Sequence, residues 1–171
     1  MIASKLRSAG VAAGIALAAL LCGAASAQTT HTSPDAMIAH DARPIPGVGV
    51  AIGDTVATVK QALKTDVEPQ PYNAGEHKKG MVLRQLTKGM RFFFDEAGKV
   101  DTIRLEEPFA AAMGGIQLGD TLQKLTEVRG KPVRHWEYGE DEAYLYPLDD
   151  DTYVRYDVNK SGEIVTMFLF K

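Results

Sequence analysis

Side chains suited to bond-making chemistry are few in this sequence, and their spacing is poor. Its only cysteine is Cys22, and beyond residue 27 the only serines are Ser33 and Ser161. A serine or cysteine hydrolase needs such a group held against a base. Ser161 instead belongs to a turn-forming run, Asn159-Lys160-Ser161-Gly162. His31, His40, His77 and His135 lack the close spacing of a metal site. His77 and His135 have the chemistry of a general base, but the sequence fixes no partner beside either. Carboxylates cluster as Glu140-Asp141-Glu142 and Asp149-Asp150-Asp151. Such runs can serve acid–base work or hold calcium, yet the second lacks the alternation and glycine of an EF-hand loop, and most are solvated turns. The expectation is a non-enzymatic chain with no catalytic residue, cofactor or metal.

Function then rests on a surface, and a surface rests on the elements beneath it. Gly115-Ile116-Gln117-Leu118-Gly119-Asp120-Thr121 repeats the grammar of Gly49-Val50-Ala51-Ile52-Gly53-Asp54-Thr55. After each copy comes an apolar stripe at helical spacing, Val56, Val59 and Leu63 in the first and Leu122, Leu125 and Val128 in the second. Asp or Thr at these points can cap a helix, and Gln123 stands three after Asp120, as a capping box allows. Gly130 and Pro132 stop the second helix. Strand-like stretches follow near 80–86, 89–95 and 99–105, then near 133–138, 142–147, 151–158 and 163–170. The fold class expected is α+β, as two tandem helix-plus-antiparallel-sheet repeats, 47–110 and 111–171. Residues 66–79 read as a long polar loop.

The first 27 residues read as a secretory signal. Lys5 and Arg7 precede an apolar run from Val11 to Leu21 that is too short to span a bilayer, and Ala25-Ser26-Ala27 is a cleavage site. Leu20-Leu21 before Cys22 make a poor lipobox, which favours soluble periplasmic or secreted release over lipidation. Residues 28–46 read as a flexible leader. The formal net charge is −3, and losing Lys5 and Arg7 makes the exported chain more acidic still. That argues against a nucleic-acid partner.

Alternation sorts the strands into two faces. A four-residue turn at 159–162 sets Tyr156 opposite Val165 and Val154 opposite Met167. Val154, Tyr156, Val158, Val165, Met167 and Leu169 then face the helix, and Tyr153, Arg155, Asp157, Ile164, Thr166, Phe168 and Phe170 face away. In the first repeat Met90, Phe92, Phe94, Ile103 and Leu105 face inward, while Arg91, Phe93, Val100, Thr102 and Arg104 face away. His135, Glu137, Tyr144 and Tyr146 are expected to extend the outward face, with Trp136 and Leu145 inward. A face mixing Tyr, Phe and Arg suits protein recognition. The expected partner-binding residues are Arg91, Phe93, Arg104, His135, Tyr144, Tyr146, Tyr153, Arg155, Phe168 and Phe170.

Leu118-Gly119-Asp120-Thr121, Leu122-x-x-Leu125, Gly130-Lys131-Pro132, Trp136-x-Tyr138 and Tyr156…Gly162-Glu163-Ile164 resemble the SmpA/OmlA unit of small outer-membrane assembly lipoproteins. Two such units in tandem look like the β-lactamase inhibitory protein architecture. The resemblance covers nearly all of 48–171, although the first repeat lacks the Gly-x-Pro after its helix and the disulfides of the inhibitors are missing. It implies a concave sheet that grips a protein loop. The expected function is therefore an exported inhibitor- or immunity-like module that binds another envelope or extracellular protein. The alternatives are a structural accessory of envelope assembly, and a small-ligand carrier or weak hydrolase using a groove near His135 and the 66–79 loop.

Overall fold

The computed structural model describes residues 45–73, 79–148 and 151–171. The expected signal segment with Cys22, almost all of the expected leader, His31, Ser33, His40, His77 and Asp149-Asp150 lie outside the described residues.

Helix α1 spans Val56–Leu63 and is followed by β1 (Gln70–Asn73), β2 (Lys79–Gln85), a 3₁₀ turn (Leu86–Lys88), β3 (Met90–Phe94) and β4 (Val100–Glu106). Helix α2 (Leu122–Arg129) precedes β5 (Arg134–Tyr138), β6 (Asp141–Pro147), β7 (Tyr153–Val158) and β8 (Ile164–Phe170). All strands join one antiparallel sheet in the order β1-β2-β3-β4-β8-β7-β6-β5. This corrects the expectation of two tandem helix-plus-sheet repeats of the β-lactamase inhibitory type. Separate sheets would leave β4 and β8 as open edges with unpaired N–H and C=O groups. Here the two strands pair with each other, from Thr102↔Phe170 to Glu106↔Thr166. The described residues form one eight-stranded sheet with two short helices.

The Gly-Asp-Thr motifs start the helices, with a division of labour between their polar residues. Thr55 Oγ1 accepts from the Thr58 N–H and Thr121 Oγ1 from the Lys124 N–H, each at 3.2 Å. The N-caps are therefore threonines, and the Asp120–Gln123 capping box does not form. Each aspartate instead closes the turn before it: Asp54 Oδ2 accepts from the Ala51 N–H at 2.8 Å, and Asp120 Oδ2 from the Gln117 N–H at 2.9 Å. The Gly53 and Gly119 N–H groups donate to the Val100 and Ile164 carbonyls, and the Val100 and Ile164 N–H groups donate to the Asp54 and Asp120 carbonyls, which fastens each motif to the start of a strand. Gly89 is required by close packing as well as by its φ of 65°, since a Cβ there would lie 1.9 Å from the Glu106 carbonyl oxygen.

One face of the sheet closes the core. Phe92, Phe94, Leu83, Ile103, Leu105, Tyr156, Met167 and Leu169 are buried there together with Val59, Leu63 and Leu125 of the helices. Ile45 also belongs to this core, and its N–H donates to the Val50 carbonyl at 2.9 Å, so the folded region begins before residue 47. The polar loop expected over 66–79 is interrupted by β1, which pairs Gln70 with Val82.

Two hairpins depart from the simple alternation at bulges. Tyr156 pairs with Met167 and Val158 with Ile164, with a shift between Asp157 and Val158. Ile164 is therefore buried rather than outward, and Val165 is the extra residue. Phe94 pairs with Val100 across a similar shift, which turns Val100 into the core. A bulge inserts one residue into one strand and reverses the faces beyond it.

Candidate interaction face

The face opposite the helices is built by alternation across the whole sheet. Tyr153, Arg155 and Asp157 of β7 stand beside Phe170, Phe168 and Thr166 of β8. Phe170, Phe168 and Thr166 in turn neighbour Thr102, Arg104 and Glu106 of β4. Arg91 and Phe93 of β3 continue the row. Arg91, Phe93, Arg104, Tyr153, Arg155, Phe168 and Phe170 all share this surface as expected, and each is half-buried.

His135, Tyr144 and Tyr146 do not. Tyr144 pairs with Tyr156 and Tyr146 with Val154, so both tyrosines face the core, and His135 shares their side. Tyr146 is 2% exposed and meets Tyr156 edge-on, with ring centroids 6.0 Å apart. Leu145 pairs with Arg155, and Trp136 with Ala143, which places Leu145 and Trp136 on the opposite face, contrary to expectation. A one-residue error in parity exchanges every side chain of a strand pair. Between β6 and β7 no tight turn fixed that parity in advance.

The arrangement on the open face is a lattice of guanidinium groups and rings. Arg155 donates through Nε to Asp157 Oδ1 at 2.6 Å and through Nη2 to Asp157 Oδ2 at 2.9 Å. Its Cζ lies 4.0 Å from the Tyr138 ring centre, 4.8 Å from Phe168 and 5.4 Å from Trp136. Arg104 Cζ lies 5.4 Å from the Phe168 ring centre, and Arg104 pairs with Glu106 at 3.0 Å. Glu106 also holds Arg91. Arg134 covers Trp136 at 5.2 Å, Tyr153 stacks on Phe170 at 6.1 Å, and Tyr72 meets Phe93 edge-on at 4.9 Å. Guanidinium groups stacked on rings and forked onto carboxylates lose little further freedom on binding. Burial raises the Asp157 carboxyl above the ordinary carboxylate range, and this outweighs the lowering by its Arg155 hydrogen bonds.

On the helix side, the displaced residues form a group of their own. His135 Nε2 and the Tyr144 hydroxyl both reach Glu142 Oε2, at 3.0 and 2.5 Å, and the two rings stack at 4.5 Å. The Tyr144 bond, and after it the His135 bond, lowers the Glu142 carboxyl. Burial first, then Glu142, pushes the Tyr144 phenol up to about 12, so it stays a neutral donor. A neighbouring cleft of about 230 Å³ is lined by Glu142, Glu140, Lys160, Asn159, Val158, Gly162 and Leu122. Pockets that enclose drug-sized ligands run from roughly 300 to 1,000 Å³. Among the described residues, no group of three or more His, Cys, Asp or Glu is placed to hold a metal ion.

No family model matches the chain, and no curated protein matches it. Solved structures match by shape. A DUF4309 family protein (YjgB) from Bacillus subtilis subsp. subtilis str. 168 superposes with a TM-score of 0.48 at 14% identity, over 73% of this chain and 82% of its own. That likeness is too slight to argue from. An extracellular protein containing a SCP domain, from Bacillus anthracis str. Ames, gives 0.53 at 13% identity over 70% of this chain. A cysteine-rich secretory protein from Staphylococcus aureus subsp. aureus Mu50 gives 0.52 at 10% identity over 75%. The likeness shows the fold alone. This chain spans 44% and 47% of those two proteins, and none of the three is described as an SmpA/OmlA lipoprotein or a β-lactamase inhibitory protein. Among the described residues, no helix is long and apolar enough to cross a membrane.

Sequence reasoning missed Trp136, Tyr138 and Arg134 as members of the open face. The signal was present in Arg134-x-Trp136-x-Tyr138, whose alternation with His135 and Glu137 separates two kinds of side chain. Trp136 falls inward only when the parity of the β5–β6 pair is set one residue off relative to β7.

Proposed function

We propose that this chain is an exported, non-enzymatic binding module that holds a partner protein on the open face of its sheet. The observation that carries this reading is the lattice of half-buried Arg91, Arg104, Arg155, Phe93, Trp136, Tyr153, Phe168 and Phe170, joined by the exposed Tyr138. Tyr, Trp and Arg dominate the energetics of protein interfaces, and here neighbouring groups already hold the guanidiniums in place. The expected signal segment supports export, as do the extracellular and secretory descriptions of two chains with a similar fold.

The test is affinity capture from an envelope extract of the producing organism, using the wild-type chain and the triple variant Arg104→Ala, Tyr153→Ala, Phe170→Ala. A partner recovered with the wild type and lost with a folded triple variant supports the proposal. Identical recoveries contradict it.

A further inference from the structure

The sheet ends in two edges of unlike character. At one end β1 contains Pro71, which lacks an N–H and so blunts the edge. At the other end β5, Arg134-His135-Trp136-Glu137-Tyr138, contains no proline and pairs with β6 without a register shift. All of its residues are exposed except Trp136, which is half-buried. Two large apolar residues lie at its ends, Val133 at 60% and Tyr138 at 55% exposure. Half the backbone groups of such a strand point away from its one neighbour among the described residues, in the direction from which another strand can pair.

We propose that β5 pairs antiparallel with β5 of a second copy of this chain, about a two-fold axis through Trp136. The sequence of the strand is complementary to itself in this register. Arg134 of one copy falls opposite Tyr138 of the other, His135 opposite Glu137, and Trp136 opposite Trp136. Both cross-strand contacts are favourable and occur twice, as an isologous interface requires. Shifting the register by two residues instead sets Glu137 against Glu137 or His135 against His135. Within one chain Glu137 stands directly opposite Glu142, a like-charge pair that opposes β5–β6 pairing. The imidazole of a second copy offsets that repulsion from the other side. Arg134, already over Trp136, gains a second ring in Tyr138 of the other copy. The inference shares Trp136 and Tyr138 with the open face, but partner binding is tested at Arg104, Tyr153 and Phe170, which lie on β4, β7 and β8.

Position-specific crosslinking tests it, in the full chain carrying Cys22→Ser so that an introduced thiol is the only one. Across an antiparallel pair, opposed Cα atoms lie about 4.5–5.5 Å apart, which suits a disulfide. Trp136→Cys, on the axis, is expected to give a covalent dimer on mild oxidation. Arg134→Cys, whose counterpart lies about 14 Å away along the strand, is expected to give none. In parallel, sedimentation equilibrium is expected to show a monomer–dimer equilibrium for the wild type. Glu137→Lys, which turns both attractive pairs repulsive, is expected to raise its dissociation constant about tenfold. A chain that stays monomeric at every concentration overturns the proposal, even if another protein's strand is later found on β5. So does equal crosslinking at 134 and 136, or an unchanged equilibrium for a folded Glu137→Lys variant.

Discussion

The two faces of this sheet draw on the same residue types and use them differently. On the helix side, Phe92, Phe94, Tyr146 and Tyr156 are buried and packed by the helices and by each other. On the open side, Phe93, Tyr153, Phe168 and Phe170 stay half-exposed, and Phe168 carries the guanidiniums of Arg104 and Arg155 over its ring. Three consecutive phenylalanines on β3 show the contrast within one strand: Phe92 and Phe94 are core and Phe93 is surface. Aromatic content alone therefore says little about role. What separates a ring that holds the fold from a ring offered to a partner is the company it keeps.

The faces should respond differently to truncation. Phe92→Ala empties a fully buried site, and we expect a loss of about 3–5 kcal/mol of stability, read by denaturant unfolding. Arg155→Ala removes the forked partner of a nearly buried carboxylate and should destabilise by about 2–3 kcal/mol, since Asp157 is left to pay its desolvation alone. Tyr153→Ala should cost about 1 kcal/mol or less, because its ring is half-exposed, yet weaken partner binding more than tenfold. Equal destabilisation by Phe92→Ala and Tyr153→Ala would erase the distinction.

The pH dependence divides the faces as well. The folded carboxyl of Asp157 is raised, so its ionisation opposes folding. Its contribution is fully present below the unfolded value and fades as pH rises through the folded one. The folded carboxyl of Glu142 is lowered, so its contribution is present above the unfolded value and is lost as pH falls through the folded one. Relative to wild type, Asp157→Asn should therefore gain stability as pH rises through the Asp157 titration. Glu142→Gln should show the opposite slope, visible as a shift in melting temperature as pH falls below the ordinary carboxylate value. Parallel slopes would refute the assignment of these two environments.

Much of this was legible from short-range pattern. Both helices, the Asp-Thr motifs that open them, and most strand positions follow from apolar spacing and turn residues. The union of β4 with β8 was not legible, because it joins segments far apart in the chain and leaves no local trace. The bulges beside Val100 and Val165 were missed because an extra residue changes no composition. The misplacement of Tyr144, Tyr146, Trp136 and Leu145 has one cause. The register between β6 and β7 had to be guessed, and parity then carried the error to every residue of the pair.

The most direct trial of the central claim is photo-crosslinking in the producing cells. A benzophenone side chain replaces Phe170 on the open face or, as the control, Lys124 on helix α2. The account predicts a discrete crosslinked protein from position 170 and none from position 124. Crosslinks from position 124 alone, or from neither, would contradict it.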